Sequence, residues 1–489
     1  MDTTDPFDDD KMCEECGVFG ILGLPGIGEA AKVTALGLHA LQHRGQEAAG
    51  IVTSDGDSFH SHRGLGHVAK IFNDREEMRR LRGGSAIGHV RYATSGVTVM
   101  RNVQPLFVEL ECGGFSLAHN GNLTNALQLR RQLVQRGCLF QSTTDTEVIV
   151  HLMATARGGS VLDRMVEALR QVEGAYSLVA LTQDAIIGVR DPLGVRPLVL
   201  GRINGGPYVL ASETCALDII GADLVRDIQP GEMLVIDKSG VHSLRPFQPR
   251  PHRFCIFEYI YFARPDSVVE GRSVYTIRQQ IGRELAREAG VEADLVVPVP
   301  DSGVPAAIGY ASESGIPFEL GIIRNHYVGR TFIEPSESIR HLGVKRKHNA
   351  NRSIIQGRRV VLIDDSIVRG TTSKKIVEMV RAAGATEIHM RISSPPTNNS
   401  CFYGIDTPEE AKLLAHTKTV AEMATHIGAD SLAFISIDGL YRAHGSPDGR
   451  HNQNPQFCDA CFTGDYPINL TDRDAQTTNG EMPLWAARA

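Results

Sequence analysis

Residues 360–375 read VVLIDDSIVRGTTSKK. The apolar run suits one buried strand and stops at Asp364 and Asp365. Residues Ser366 to Thr372, with Arg369, Gly370 and Thr371, then supply hydroxyls and a turn before a helix expected over Ser373 to Ala383. Strand, polar loop and helix in that order point backbone N–H groups at an anion. The two carboxylates stand where they can hold vicinal hydroxyls or a Mg²⁺ beside it. An acidic strand end followed by a Thr helix cap is the plainer reading of the same residues. The pattern GxxxxGK[ST] is missing, so ATP hydrolysis is unsupported.

The same grammar continues on either side. A helix expected over Ser273 to Ala289 precedes the strand DLVVPVP, and EIHMRIS follows the phosphate loop. Strands alternating with helices of this length favour a parallel sheet covered on both faces, an α/β domain over residues 255–467. Before it, RPFQPRPHR is proline-rich and basic and reads as a linker.

From Cys16 to about Arg245 the chain changes character. Short strands dominate: GVFGIL, AAGIVTS, SAIGHVRYAT, FSLAHN, AYSLVALT, AIIGVRD, PYVLAS and EMLVID. Val33, Leu36, Ala40 and Leu41 fall on one face of a helix, and Asp145 to Ala156 and Val161 to Val172 read as two more. Segregated strands and helices suggest stacked layers, an α+β domain over residues 16–245. Residues 1–15 are polar and acidic without periodicity. Residues 468–489, which hold the only tryptophan, Trp485, read as a flexible tail.

A chain of 489 residues exceeds what one core organises, which agrees with two domains. The composition, 42% apolar and 22% charged, excludes wholesale disorder, and the modest net charge of -7 argues against a nucleic-acid or membrane-surface binder. No apolar run approaches the roughly 18 residues of a membrane span, and the acidic start does not resemble a signal peptide, so a cytoplasmic protein is expected. Nine cysteines, odd in number and irregular in spacing, then suggest metal binding or catalysis more than a disulfide framework.

Cys16 opens the apolar strand directly after the acidic segment, a boundary that invites cleavage. Removal of residues 1–15 would give Cys16 a thiol and a free α-amine, whose pKa of about 7.7–8.0 suits a general base. One residue would supply both nucleophile and base. A buried structural cysteine is the bland alternative. In AHNGNLTN, the Asn120 amide and the Gly121 N–H can point at a developing oxyanion. Arg91 in HVRYATSG could pair a carboxylate and Asp145 in TTDTEV an ammonium, together holding an amino acid at both ends. Each alone would be a salt bridge or a helix cap.

Taken in order, CGVFGI, LQHRGQEAAGI, HVRYATSG, AHNGNLTN and DTE resemble the N-terminal-nucleophile glutaminases of glutamine amidotransferases. The resemblance implies an αββα fold. It also implies that Cys16 attacks the glutamine amide, that Asn120 and Gly121 form the oxyanion hole, and that Arg91 and Asp145 hold the substrate. Arg44 would help shape the pocket. Cys13 is a rival nucleophile, but EEC follows it where the family has an apolar strand.

The 360–375 segment resembles the signature of type I phosphoribosyltransferases. The loop Val299–Gly303 looks like the one that takes pyrophosphate, through Asp301 and Gly303, with Ser302 touching magnesium. Arg330, Lys345, Arg346 and Lys347 in the basic stretch between the loops could close over the leaving group. Lacking aromatic interleaving, that stretch gives little support to nucleic-acid binding.

Of the seven other cysteines, four lie in the second half. Cys458 and Cys461 form CxxC, while Cys255 and Cys401 stand far apart, all with an aromatic neighbour. On spacing alone, zinc, a [4Fe-4S] cluster and no metal stay open. From Cys16 to Pro467 the chain resembles glutamine phosphoribosyl pyrophosphate amidotransferases of the branch with a propeptide and a [4Fe-4S] cluster. That resemblance implies Cys255, Cys401, Cys458 and Cys461 as cluster ligands and Mg²⁺ as a second cofactor. It implies glutamine and phosphoribosyl pyrophosphate as substrates, feedback inhibition by purine nucleotides, and a homotetramer. Two rivals are an amidotransferase with another acceptor and a ligand-sensing regulator on a phosphoribosyltransferase fold.

Overall fold

The structure, a computed structural model, describes residues 16–24, 26, 28–92, 99–325 and 348–473. The first half folds around thirteen strands: β1 (Gly17–Ile21), β2 (Ala48–Ser54), β3 (Phe59–Leu65), β4 (Ser85–Arg91), β5 (Leu106–Leu110), β6 (Gly113–Leu123), β7 (Gly174–Leu181), β8 (Ile186–Arg190), β9 (Val199–Ile203), β10 (Tyr208–Ala211), β11 (Ala222–Asp227), β12 (Met233–Asp237) and β13 (Gly240–Leu244). They form two antiparallel sheets, ordered β11-β9-β10-β1-β4-β2-β3 and β13-β12-β8-β7-β6-β5.

Side chains from both sheets, among them Val18, Val52, Ile87, Ala118, Val179, Leu210 and Leu234, fill the layer between them. On β1 the alternation of a strand sends Val18 into that layer and Phe19 and Ile21 outward, under the helix Glu29–Ala40. The second sheet is covered by helices Ala126–Gln135, Thr146–Thr155 and Val161–Leu169. This is the αββα stack that the resemblance implies. Within the first helix one expectation is corrected. Leu36 is 48% exposed, and the buried face runs through Ala30, Ala31, Thr34, Gly37 and Leu38. Small residues are required there because the helix lies close on the sheet; a Cβ on Gly37 would stand 2.3 Å from the Phe19 ring.

The second half carries a four-stranded parallel sheet in the order Leu295–Pro298, Arg359–Asp364, Glu387–Ile392, Ser431–Phe434. Val361 and Ile363 point to the face under helices Val274–Glu288 and Val304–Ser314. Val360 and Leu362 point to the face under Thr371–Ala382 and Val420–Ile427. The near-continuous apolar run in VVLI follows from this double burial. The parallel register Leu295↔Val360 to Pro298↔Ile363 leaves two loops side by side at the carboxyl edge, where ligands bind in such sheets.

The C-terminal segment departs from the expectation of a tail beginning at 468. Ile468 and Leu470 pack on the second domain's core, and the Tyr403 hydroxyl donates to the Ile468 carbonyl at 2.8 Å. Asp472 accepts the N–H groups of Leu127 and Gln128 at the start of helix Ala126–Gln135, at 2.8 and 3.0 Å. Residues 468–473 therefore strap one domain to the other; those helix N–H groups would otherwise lack a partner within their own helix. No helix among the described residues is long and apolar enough to cross a membrane.

Candidate active sites

Strand pairing builds the first site. The antiparallel register Gly17↔Val90 puts Cys16 opposite Arg91 at the end of β4, and Cys16 Sγ lies 3.6 Å from the Tyr92 carbonyl. Both residues are buried. Gly45 of QHRGQE passes so close that a Cβ there would stand 2.7 Å from the Arg91 backbone, which accounts for glycine at that position. The β1 strand lies across β6 and β7, and β6 carries Asn120 and Gly121.

Asn120 is fully buried, and neither its Oδ1 nor its Nδ2 has a hydrogen-bond partner among the described residues. A buried amide without partners costs about 1–3 kcal/mol, a cost that a ligand oxygen accepting its N–H would remove. Gly121 has φ 140°, and a Cβ would meet the Ala175 carbonyl oxygen at 2.0 Å.

Asp145 caps helix Thr146–Thr155, accepting the Thr146 N–H at 2.8 Å and the Leu123 N–H at 2.9 Å. Burial pushes its carboxyl up, but His119, whose Nδ1 stands 3.7 Å away, and these N–H groups outweigh that and hold it below the usual carboxylate range. It is thus an anion beneath β6, as an ammonium-binding role needs.

Arg44 sits elsewhere than a direct substrate contact requires. Its guanidinium donates to Glu213 Oε1 at 2.6 Å and to Glu258 at 2.7 and 3.0 Å, and its Nε donates to the Cys16 carbonyl at 3.3 Å. Arg44 shapes the pocket from behind, by fixing the Cys16 backbone. Glu213 belongs to the first domain and Glu258 to the second, so this wholly buried cluster also pins the junction. Burial would raise the Glu213 carboxyl, but the charges of His43 and Arg44 hold it far below its ordinary value.

In the second domain the two sheet-edge loops meet. Ser302 Oγ donates to Asp365 Oδ2 at 2.5 Å, Ser366 Oγ donates to Asp365 Oδ1 at 2.5 Å, and the Asp365 N–H reaches Asp364 Oδ1 at 2.9 Å. Gly303 must be glycine, since a Cβ would stand 2.4 Å from the Ile363 carbonyl oxygen. Gly370, at φ 82°, is the N-terminal cap of helix Thr371–Ala382, with Thr371 and Thr372 as its first residues and Arg369 just before it. The exposed Asp301 pairs with Arg324, which sequence reasoning did not single out. Arg330, Lys345, Arg346, Lys347 and Cys13 lie outside the described residues.

The four late cysteines converge. Phe254–Cys255 pairs in parallel with Phe457–Cys458. Cys461 takes the N–H groups of Asn398 and Asn399 on its carbonyl at 3.1 Å, tying CxxC to the segment that carries Cys401. Burial pushes the Cys458 and Cys461 thiols up, and the nearby Cys255 and Cys401 sulfurs add to it. Among the described residues no three His, Cys, Asp or Glu side chains close round a point as a single ion requires.

The residues that sequence reasoning missed are those of the junction. Arg196, from the loop after β8, sends its Nε to the Tyr403 carbonyl at 3.0 Å and its Nη1 to Glu258 at 3.4 Å. Asn122 Nδ2 donates to the Phe402 carbonyl at 2.9 Å. Their partners lie tens to hundreds of residues away, and only burial of a charged residue in an apolar neighbourhood hints at them.

A family model described as a glutamine amidotransferase domain matches residues 89–218, and one described as a phosphoribosyl transferase domain matches residues 271–394. The chain is 57% identical to an amidophosphoribosyltransferase of Rhizobium etli, covering 99% of this chain and 98% of that protein. It is 49% identical to that of Bacillus subtilis, covering 94% and 95%. Two solved structures superpose over 93% of this chain at 48% identity. One is the allosteric regulatory enzyme of purine biosynthesis, with TM-score 0.88 over 97% of its length. The other is the glutamine phosphoribosylpyrophosphate amidotransferase of B. subtilis complexed with ADP and GMP, with TM-score 0.87 over 98%.

Proposed function

This chain belongs to the amidophosphoribosyltransferases, and we propose that its two sites divide the family's reaction between them as follows. Glutamine, water and phosphoribosyl pyrophosphate give 5-phosphoribosylamine, glutamate and pyrophosphate, the first committed step of purine synthesis. The rival readings, another acceptor or a ligand-sensing regulator, give way to relatives that match across both halves.

In the first site Cys16 Sγ attacks the side-chain amide carbon of glutamine. The α-amine of Cys16, exposed once residues 1–15 leave, takes the thiol proton and returns it to the departing ammonia. Water then cleaves the thioester to glutamate. Asn120 Nδ2 and the Gly121 N–H receive the oxyanion, Arg91 holds the α-carboxylate, and Asp145 holds the α-ammonium. The observation that carries this reading is the Asn120 amide, buried without a partner among the described residues on the strand that β1 crosses.

In the second site the N–H groups from Gly370 to Thr372 cradle the 5-phosphate, and Asp364 and Asp365 face the ribose hydroxyls. Asp301, Ser302 and Gly303 receive the pyrophosphate, with Arg330, Lys345 and Lys347 as candidates to cover it. Hard oxygen donors and few carboxylates suit Mg²⁺, which keeps waters and substrate phosphates as ligands. Ser302, Asp364 and Asp365 would hold it, and its charge would stabilise the leaving pyrophosphate. Ammonia attacks the oxocarbenium-like carbon as pyrophosphate departs.

Cys255, Cys401, Cys458 and Cys461 suit a [4Fe-4S] cluster. They offer four soft donors in apolar surroundings, two of them brought together where Phe254–Cys255 pairs with Phe457–Cys458. The reading extends to a homotetramer inhibited by purine nucleotides, supported by the nucleotides in the B. subtilis complex, and to action in the cytoplasm. Glutamate formation measured with and without phosphoribosyl pyrophosphate tests the coupling. Hydrolysis that rises with that substrate is expected, and equal hydrolysis without it would contradict the proposal.

A further inference from the structure

The turn Cys401–Gly404 belongs to the second domain, yet it rests on the strand that carries the proposed oxyanion donors. Gly404, at φ 110°, packs so closely on Gly121 that a Cβ on Gly404 would stand 2.9 Å from the Gly121 Cα. One residue early, the Tyr403 carbonyl accepts Arg196 Nε at 3.0 Å. Two residues early, the Phe402 carbonyl accepts Asn122 Nδ2 at 2.9 Å.

Arg196 is itself held rigidly. Asp191, buried, accepts the N–H groups of Leu193 and Val195 at 2.9 Å each, which shapes the loop leading to it. The Arg196 carbonyl accepts Arg190 Nε at 2.7 Å and Ser177 Oγ at 3.2 Å. Ser177 is the residue paired with Asn120 in the β6–β7 register. The contacts therefore close a ring. From Asn120 it runs to Ser177, to the Arg196 backbone, along the Arg196 side chain to Tyr403, then to Gly404 and back to Gly121.

We propose that Arg196 is a positioning residue for glutamine hydrolysis, setting Asn120 and Gly121 by holding the Cys401–Gly404 turn against them across the domain junction. The inference rests on the assignment of Asn120 and Gly121 as oxyanion donors. Arg196 touches no substrate in this account. Apart from its 3.4 Å ion pair with Glu258, its effect falls on the step in which negative charge develops on oxygen, since a donor misplaced by about 1 Å can cost on the order of 100-fold.

The test uses the matured two-domain enzyme, beginning at Cys16, and glutamate γ-semialdehyde. The Cys16 thiol adds to the aldehyde carbon: an S–C bond forms, the carbonyl electron pair moves onto the oxygen in the oxyanion hole, and the thiol proton passes by way of the Cys16 α-amine to that oxygen, giving a hemithioacetal. Arg196→Met is expected to weaken aldehyde binding and lower the glutaminase kcat in parallel, by about 10- to 100-fold, with the KM for glutamine little moved. Arg196→Lys, which keeps a donor near Tyr403, is expected to recover part of the loss. Ammonia-driven synthesis of phosphoribosylamine reports that the variant is folded. Should Arg196→Met fail that check, Asn122→Ala, which removes the bond to Phe402 from a half-buried position, is expected to show a several-fold loss of the same kind.

Full aldehyde affinity in the folded Arg196 variant, or in Asn122→Ala if that variant carries the test, would overturn the inference while Asn120→Ala still loses affinity. Full affinity in Asn120→Ala would overturn the oxyanion assignment and this inference with it.

Discussion

Asn120→Ala separates a catalytic amide from a structural one, and the structure sets both magnitudes. Loss of one oxyanion donor costs about 10²- to 10³-fold in kcat, or about 3–4 kcal/mol of transition-state stabilisation. An amide buried for structure would also cost folding stability, because its hydrogen bonds would be lost. Here the Asn120 amide makes none with the described residues, so its removal relieves a buried unsatisfied group worth about 1–3 kcal/mol. The packing lost with three heavy atoms offsets that relief, and the net change in stability should lie within about 1 kcal/mol of zero. The assays are glutamate release in the presence of phosphoribosyl pyrophosphate and urea unfolding of the same preparation. A kcat within about fivefold of the parent, or a stability loss above about 3 kcal/mol, would refute the reasoning.

Three further outcomes are expected. Arg44→Met leaves Glu213 and Glu258 buried without their guanidinium, and calorimetry should register a loss of about 3–5 kcal/mol; Arg44→Lys should not restore it, since a single ammonium cannot replace the fork. The Glu147 carboxyl would be raised by burial, but the His151 ring 3.7 Å away and hydrogen bonds from the Gln141 N–H, the Ser142 N–H and the Ser142 hydroxyl hold it at about 2, against an ordinary 4.5. A folded value below the unfolded one adds stability above about 4.5 that is lost as pH falls toward 2, and Asp145 acts with the same sign. The urea midpoint should therefore drop between pH 5 and pH 3, more steeply than in Glu147→Gln; equal slopes would contradict this. Cys401→Ser should abolish the iron and sulfide content of anaerobically purified protein, and full iron content would remove Cys401 from the ligand set.

Much of this architecture is legible in the residues because burial is local and periodic there. AAGIVTS and RVVLID coincide with the strands Ala48–Ser54 and Arg359–Asp364, since both lie inside sheets covered on two faces. Five first-domain strands escaped notice; Val199–Ile203 lies inside its sheet, while Phe59–Leu65, Leu106–Leu110, Ala222–Asp227 and Gly240–Leu244 are edges. The residues FHSHRGL, ADLVRD and GVHSL face water on much of their surface, so tertiary pairing, not hydrophobic alternation, makes them strands. The phosphate loop was legible because its residues are contiguous. The environment of Arg44 was not, because Glu213 and Glu258 arrive from far along the chain. Leu36 shows the opposite failure: a helical period placed it inward, while close packing on the sheet gave that face to alanine and glycine.

Two sites joined in one chain, with water as the competitor for the oxocarbenium-like carbon, imply that ammonia released beside Cys16 is consumed by the second domain without escaping. The direct measurement supplies amide-¹⁵N glutamine and phosphoribosyl pyrophosphate with unlabelled ammonium chloride held below the level that drives synthesis without glutamine, and reads the isotope in the phosphoribosylamine after trapping. Product carrying the glutamine label undiluted is the predicted result. Product whose isotope content matches the bulk ammonium would contradict it.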